Sequence, residues 1–264
     1  MVFFAGKSNP LYYQFEPLLS YPEIRHGIFT RNSGHSPHPF HSLNISFGLG
    51  DDPRNVLKNR QVVSDSMGGR NPIFLDQMHG TDVFVADGND RLSGSLKPEV
   101  PKADAAITDV KGNMLVVQVA DCQPIFLYDP ARKVVAGVHS GWRGSINNII
   151  EKTIRVMKTR FECDPKRLIA CIGPSLGPCC AEFIHYRTEI PEKYWAYKDR
   201  SNRIDFWSIS RDQLLDAGIS ASHIHVSGIC THCRTDLFFS YRSEKRTGRF
   251  ASAIGLTNEQ ETEA

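Results

Sequence analysis

Three side chains combine reactive chemistry with a placement that an ordinary core does not require: His79 in QMHGTD, Cys122 in VADCQP and His139 in GVHSGWRG. Each falls at the C-terminal end of an apolar run that reads as a strand, within two residues of a Gly or Pro. Strand ends are where mixed sheets place their chemistry. Two imidazoles and one thiolate suit zinc, with a fourth position left for water or substrate. The spacings of 43 and 17 residues form no compact motif, and HExxH and paired CxxC sets are lacking. Taken singly, a cysteine after a buried strand is ordinarily a small core hydrophobe, and a loop histidine is ordinarily a surface residue. The case rests on all three sharing one kind of location. The single CxxC, Cys230 and Cys233 in CTHC, admits a redox pair, half a metal site or two inert cysteines; inert cysteines are the expectation.

A second signal is GWRG, where Gly141 and Gly144 flank Trp142 and Arg143 at a predicted strand-to-helix junction. Amides at a helix start, with an arginine beside them, make an anion site. It is not the longer nucleotide-phosphate loop, which needs a Lys-Ser/Thr after more glycines. Trp142 can pack in the core while the turn does this.

The elements that must position these groups are read from periodicity and punctuation. Strands are predicted over 25–31, 73–77, 83–86, 105–108, 114–120, 125–128, 134–138, 167–173, 225–227, 237–241 and 250–254. The run MLVVQVA reads as a buried strand. Asp52-Pro53 looks like an N-cap and first helical residue, with the helix ending at Gly68-Gly69. A helix is expected over 145–160, where Ile146, Ile149, Ile150, Ile154 and Met157 share a face. Short helices are expected over 191–197 and 208–217. The Gly-, Ser-, Pro- and His-rich stretch 32–52 reads as a long loop, which in a compact domain is often functional. A surface loop is expected over 88–103. Many strands with interspersed helices indicate one mixed α/β or α+β domain over 1–256, with a tail at 257–264 expected to be disordered.

Composition agrees with an enzyme of this size. The 264 residues are 41% apolar and 23% charged, with a net charge of +2 from 31 basic and 29 acidic side chains. That balance carries no footprint for nucleic acid. No stretch reaches the roughly 18 apolar residues of a membrane span, and the N-terminus lacks the pattern of a signal peptide. Seven cysteines without scaffold spacing indicate reduced thiols and a cytoplasmic location. No partner protein is evident.

The motifs HGIFTR, SLNISFGLGDDP, QMHG, ADAAIT, ADCQPIFLYD, VVAGVHSGWRG, IGPSLGPCC, DFWSISRDQLLDAGI and FFSYRSEKRTGRFAS together resemble the laccase-domain, or multi-copper polyphenol oxidoreductase, family. Its members are also described as purine nucleoside phosphorylases and peptidoglycan editing factors. The resemblance covers about residues 24–256. It implies mixed sheets packed together with flanking helices, similar to the cytotoxic necrotizing factor catalytic domain. It implies a mononuclear zinc on His79, Cys122 and His139. It further implies that Asn44, Arg60, Gln77, Asp121, Arg143, Phe239, Ser240 and Arg242 lie near the pocket. Copper, which the family name suggests, is not the expected metal, because multi-copper oxidases need paired His motifs that these ten histidines do not supply. Departures from the family pattern are Ser140 for Ala in the His-Ala-Gly-Trp-Arg-Gly motif, Ala181 for a common Tyr, and Ser243 for a usual second Arg. The last removes a charge near the expected anion region.

The resemblance implies phosphorolysis of adenosine, inosine and methylthioadenosine, with purine nucleoside and phosphate as small-molecule substrates. Arg143 and the Gly141 to Gly144 backbone are the expected phosphate holders, Arg60 and Arg242 helpers, and Trp142 and Phe239 candidate walls for a flat base. Other readings stay open. Adenosine deamination would need a carboxylate for proton transfer, for which Asp121 is the candidate. Cys122 could instead be a nucleophile, with His139 or His79 as base, in an amidase that edits L-Ser linkages in peptidoglycan precursors. Polyphenol oxidation and non-catalytic metal binding complete the set.

Overall fold

The apolar runs become strands of two mixed six-stranded sheets in the computed structural model, which describes residues 2–5, 11–68, 71–87 and 100–257. In chain order the elements are β1 (Val2–Ala5), β2 (Leu11–Gln14), α1 (Glu16–Leu19), β3 (Ile24–Phe29), α2 (Pro53–Ser66), β4 (Asn71–Phe74), β5 (Val83–Val85), β6 (Ala105–Thr108), β7 (Asn113–Val119), β8 (Gln123–Asp129) and β9 (Val134–Ser140). There follow α3 (Trp142–Ile146), α4 (Ile149–Phe161), β10 (Ile169–Ile172), α5 (Tyr186–Glu189), α6 (Phe206–Asp216), β11 (Ile224–Val226), α7 (Tyr241–Glu244) and β12 (Phe250–Leu256). One sheet has the order β1-β2-β3-β12-β7-β4 and the other β11-β10-β8-β9-β6-β5. The architecture is α+β. Among the described residues no helix is long and apolar enough to cross a membrane.

Period-2 alternation explains why the central strands read as continuous apolar runs: both faces are covered. In β7, Leu115, Val117 and Val119 enter the core between the sheets, where they share a cluster with Phe126 and Tyr128 of β8 and Ile254 of β12. The alternate residues Met114 and Val116 pack outward with Val63 and Met67 at the end of α2. On the far side, Ile125 and Leu127 of β8 and Ala136 and Val138 of β9 meet Ile149, Ile150, Ile154 and Met157 of α4. The layers therefore run helix, sheet, sheet, helix. Burial of each large aliphatic side chain contributes roughly 1.5–3 kcal/mol.

Helix α2 begins as its sequence signals: Asp52 caps it by accepting from Arg54 N, and Pro53 follows. The helix expected over 145–160 is two helices. Asn148, at φ 56° and ψ 57°, interrupts the chain and its side chain accepts from Glu151 N to start α4. The periodic isoleucines continue across this break, so periodicity alone does not register it. The strand expected over 237–241 is also not formed. Leu237 and Phe238 amides bond to Arg234 O in turns, Phe238 and Phe239 are fully buried, and Ser240 caps α7. This run is apolar because it plugs the core. The tail from residue 258 onward and most of the expected 88–103 loop lie outside the described residues.

Candidate metal centre

His79, Cys122 and His139 arrive from three places in this topology. His79 lies in the loop between β4 and β5, in left-handed backbone at φ 59°. Cys122 sits in the turn that carries the chain from β7 of the first sheet to β8 of the second. His139 is in β9, opposite Pro124 of β8. Their donor atoms all lie within 4.8 Å of one another, and the imidazole rings are nearly perpendicular with centroids 4.9 Å apart.

A residue that the sequence reading did not single out holds this arrangement together. Asp104, at the entry to β6, is buried and accepts from His79 N at 2.9 Å and Gly80 N at 2.6 Å. Its Oδ1 also lies 2.7 Å from His139 Nδ1, and its carbonyl accepts from His139 N at 2.7 Å. A carboxylate facing Nδ1 favours a proton there, which leaves Nε2 as the ligand atom of the neutral ring. Gly141 completes the packing. A Cβ there would stand 3.0 Å from His79 Cδ2 and 3.2 Å from Cys122 Sγ, so only a bare backbone leaves the ligands undisturbed.

In the absence of an ion, the electrostatics pair a thiolate with a charged imidazole. Burial opposes ionisation of the Cys122 thiol, but His139 and His79 outweigh it and bring its pKa down to about 6. Burial likewise opposes charge on His139, and the Cys122 thiolate and Asp104 raise it to about 9. Asp104 is buried too, yet its bonds to His139, Gly80 and His79 hold its carboxyl below the usual range. A thiolate and two imidazoles converging on one point, with a carboxylate behind one of them, form a metal-binding arrangement that fits a borderline-soft divalent ion.

The three donors line a cavity of about 1680 Å³. Its walls include Arg60, Gln77, Asp121, Trp142, Arg143 and Arg242, together with Arg249, Phe183, Phe206 and Tyr241. Ser46, Phe47, Gly48 and Leu49 of the long 32–52 loop contribute a further wall. Arg60 is stacked on Phe74 at 3.6 Å and Phe47 at 4.3 Å, bonds to Ile45 O, and is lowered to about 10 by burial. Arg143 lies over the Trp142 ring at 4.3 Å. Arg242 donates to Glu182 O at 2.7 Å.

Asn44, Phe239, Ser240 and Gly144, also named from sequence, stand behind the wall. Asn44 is fully buried and its Oδ1 accepts from Ser46 N and from Arg249 N at 2.9 Å, so it positions a wall segment and an arginine. Phe239 packs beneath Arg31 in the inter-sheet core and is not a wall for a base. Ser240 is buried as the cap of α7, and Gly144 packs against Gly80 O. Gln77 faces the cavity but bonds through its amide to the Gln118 backbone, N to Oε1 and Nε2 to O, both at 2.8 Å. It thereby extends the β4–β7 pairing by side chain. Asp121, at φ 86°, accepts from Thr231 Oγ1 at 2.7 Å and Arg242 N at 2.6 Å, while its carbonyl accepts from Leu176 N. It anchors the Cys122 turn to the segments around Leu176 and Thr231 and to the start of α7. Arg249 was not named from sequence; its charge is disfavoured by burial and favoured by Cys122 and Asp121 beside it.

Comparison with known proteins gives a consistent picture. The family described as multi-copper polyphenol oxidoreductase laccase matches residues 25–257. A Geobacillus stearothermophilus protein named purine nucleoside phosphorylase YlmD is 33% identical over 247 residues, covering 88% of this chain and 90% of the relative. An Escherichia coli (strain K12) protein named purine nucleoside phosphorylase YfiH is 31% identical over 239 residues, covering 86% and 91%. The crystal structure of YlmD from Geobacillus stearothermophilus superposes with a TM-score of 0.87 at 30% identity, covering 97% of this chain and 99% of that one.

Proposed function

The chain belongs to the multi-copper polyphenol oxidoreductase laccase family, and from that premise we propose that it is a zinc-dependent purine nucleoside phosphorylase acting on adenosine, inosine and methylthioadenosine. The carrying observation is that Arg143, Arg242 and Arg249 line the same cavity as His79, Cys122 and His139. Relatives named purine nucleoside phosphorylase, aligned over most of both chains, support the same reading. In phosphorolysis a phosphate oxygen bonds to the ribose anomeric carbon. The glycosidic C–N bond breaks, and the base leaves with the electron pair and takes up a proton. Three guanidinium groups at one cavity supply the charge that a phosphate dianion needs. Trp142, packed against Phe183, offers an aromatic face for a purine. His79, Cys122 and His139 would hold the zinc, which when bound supplies Lewis-acid polarisation of an oxygen ligand. Asp104 fixes the tautomer and tilt of His139.

Adenosine deamination receives less support, because the Asp121 carboxylate is committed to Thr231 and the Arg242 amide. A second reading draws on a specific observation. Cys122, His139 and Asp104 follow the order nucleophile, base and orienting carboxylate, as in cysteine amidases. One experiment separates these readings. Adenosine, inosine and an L-Ala-L-Ser-linked cell-wall precursor are each incubated with the protein, with and without phosphate, and products are read by mass. Hypoxanthine and ribose 1-phosphate appearing from inosine only with phosphate is the expected result. Cleavage of the L-Ser linkage with nucleosides untouched would overturn it in favour of the amidase.

A further inference from the structure

Outside the cavity, β10 and β11 run parallel and adjacent at the edge of the second sheet. The segments that leave them stay together. Ser175 and Cys230 form a parallel bridge, with Ser175 N donating to Ile229 O and Thr231 N to Ser175 O. This pairing carries the adjacent cysteines of GPCC onto the CTHC turn. The sulfur atoms of Cys179, Cys180, Cys230 and Cys233 all lie within 4.8 Å of one another. Cys233 Sγ is 3.7 Å from Cys179 Sγ and 3.6 Å from Cys180 Sγ.

These distances fit a tetrahedral ion held by four thiolates. A tetrahedral zinc tetrathiolate with Zn–S bonds of about 2.3 Å has sulfur–sulfur edges of about 3.8 Å. A disulfide needs about 2.05 Å and joins sulfurs in pairs, whereas here one sulfur is equally near two others. The cysteines of an iron–sulfur cluster must spread around an inorganic core, which this spacing does not accommodate. The scaffold is built for sulfur as well. Gly177 N donates to Cys230 Sγ at 3.3 Å. A Cβ on Gly177 would meet Trp207 Cη2 at 2.9 Å and Cys230 Cβ at 3.1 Å, so the approach of that amide requires glycine. Trp207 Nε1 in turn donates to Ser175 Oγ at 2.7 Å.

We propose that Cys179, Cys180, Cys230 and Cys233 form a second metal site, a closed tetrathiolate that takes one zinc ion and is separate from the His79, Cys122 and His139 centre. Four protein ligands leave no open position, so the site is structural. Binding exchanges the thiol protons for the ion, and no oxidant is required. Its consequence reaches the cavity through Thr231, which lies inside the CTHC turn and donates to Asp121, the residue before Cys122. The ion clips together the loops that hold the Cys122 turn.

The test uses the full chain, purified from zinc-supplemented cells, with metal and free thiols measured per chain. Wild type is expected to carry two zinc ions per chain, Cys122→Ala one, and the double variant Cys179→Ser/Cys180→Ser one. A second measurement does not depend on the double variant folding. Cys122→Ala protein, stripped and refilled with Co2+, is expected to show the intense sulfur-to-cobalt charge-transfer absorption of a tetrahedral four-thiolate site. Equal zinc in wild type and the double variant would overturn the proposal. So would a Cys122→Ala protein with no thiolate–cobalt absorption, or one whose four cysteines are found as disulfides. None of these outcomes depends on which reaction the cavity catalyses.

Discussion

Replacing Asp104 with Asn tests the centre at its least conspicuous member. The carboxylate accepts from two backbone amides, at 2.9 and 2.6 Å, and faces His139 Nδ1 at 2.7 Å. An Asn of the same shape must place its NH2 either against Gly80 N, a donor already, or against both His79 N, another donor, and His139 Nδ1. In the second case Nδ1 becomes the acceptor, the proton moves to Nε2, and that nitrogen is lost as a ligand. Outer carboxylates of this kind are worth about 10- to 100-fold in metal affinity, or roughly 1.4–2.7 kcal/mol. Asp104→Asn is therefore expected to bind zinc at the His79, Cys122 and His139 centre within that range of weakening, measured by competition with a chromophoric chelator. The same group links stability to pH. Its carboxyl is held below the ordinary range when folded, so its contribution is fully present above the unfolded value and is lost as pH falls through the folded one. The stability gap between wild type and Asp104→Asn should accordingly narrow in acid. Zinc affinity within twofold of wild type, in a variant that melts as one cooperative unit, would refute the role assigned to Asp104.

Further expectations concern its neighbours. Single Ala variants of His79, Cys122 and His139 should each abolish turnover to a similar depth, and double variants should lose little more, because a coordination shell fails as a unit; near-full activity in His79→Ala would place that residue outside the shell. In metal-free protein the Cys122 thiolate fraction should rise with pH through about 6, so iodoacetamide alkylation at this residue should level off by neutrality; a midpoint near that of an ordinary thiol would contradict the geometry. Gly141→Ala brings a methyl to 3.0 Å from His79 and 3.2 Å from Cys122, an overpacking that costs about 1–3 kcal/mol and should weaken zinc binding more than it lowers the melting temperature. Arg249→Ala should raise the KM for phosphate more than that for inosine, read by steady-state kinetics at saturating co-substrate.

Much of the scaffold is legible in the sequence because local rules agree with the global fold. The strands β6, β7, β8 and β9 are apolar on both faces, and the Asp52-Pro53 start of α2 is a strong local cap. Where the outcome depends on tertiary context, the signal fades. Asn148 breaks a periodic helix through one left-handed residue, and the aromatics before Ser240 are apolar for the sake of the core and not of a strand. The same division runs through the centre. His79, Cys122 and His139 stand out by type and position, whereas Asp104 acts on partners 24 to 35 residues away, a relation no spacing rule encodes. The nearness of Cys179 and Cys180 to Cys230 and Cys233 is hidden for a similar reason: only the pairing of β10 with β11 and of the segments after them brings the two runs together. Asn44 and Phe239 belong to the neighbourhood of the cavity, but folding turns them to its rear.

The donors of the centre come from a loop after β4, from the turn that crosses between the sheets, and from β9. Cys122 and His139 flank the β8–β9 hairpin, but His79 reaches them from the loop between β4 and β5, so the full set assembles only once that loop has closed on the hairpin. An ion held by all three donors stabilises only a state in which they have converged, so its effect is expected chiefly in the unfolding rate. Metal loading should leave the refolding rate unchanged while slowing unfolding, and a chelator should shorten the lifetime of the folded molecule without changing how quickly it forms.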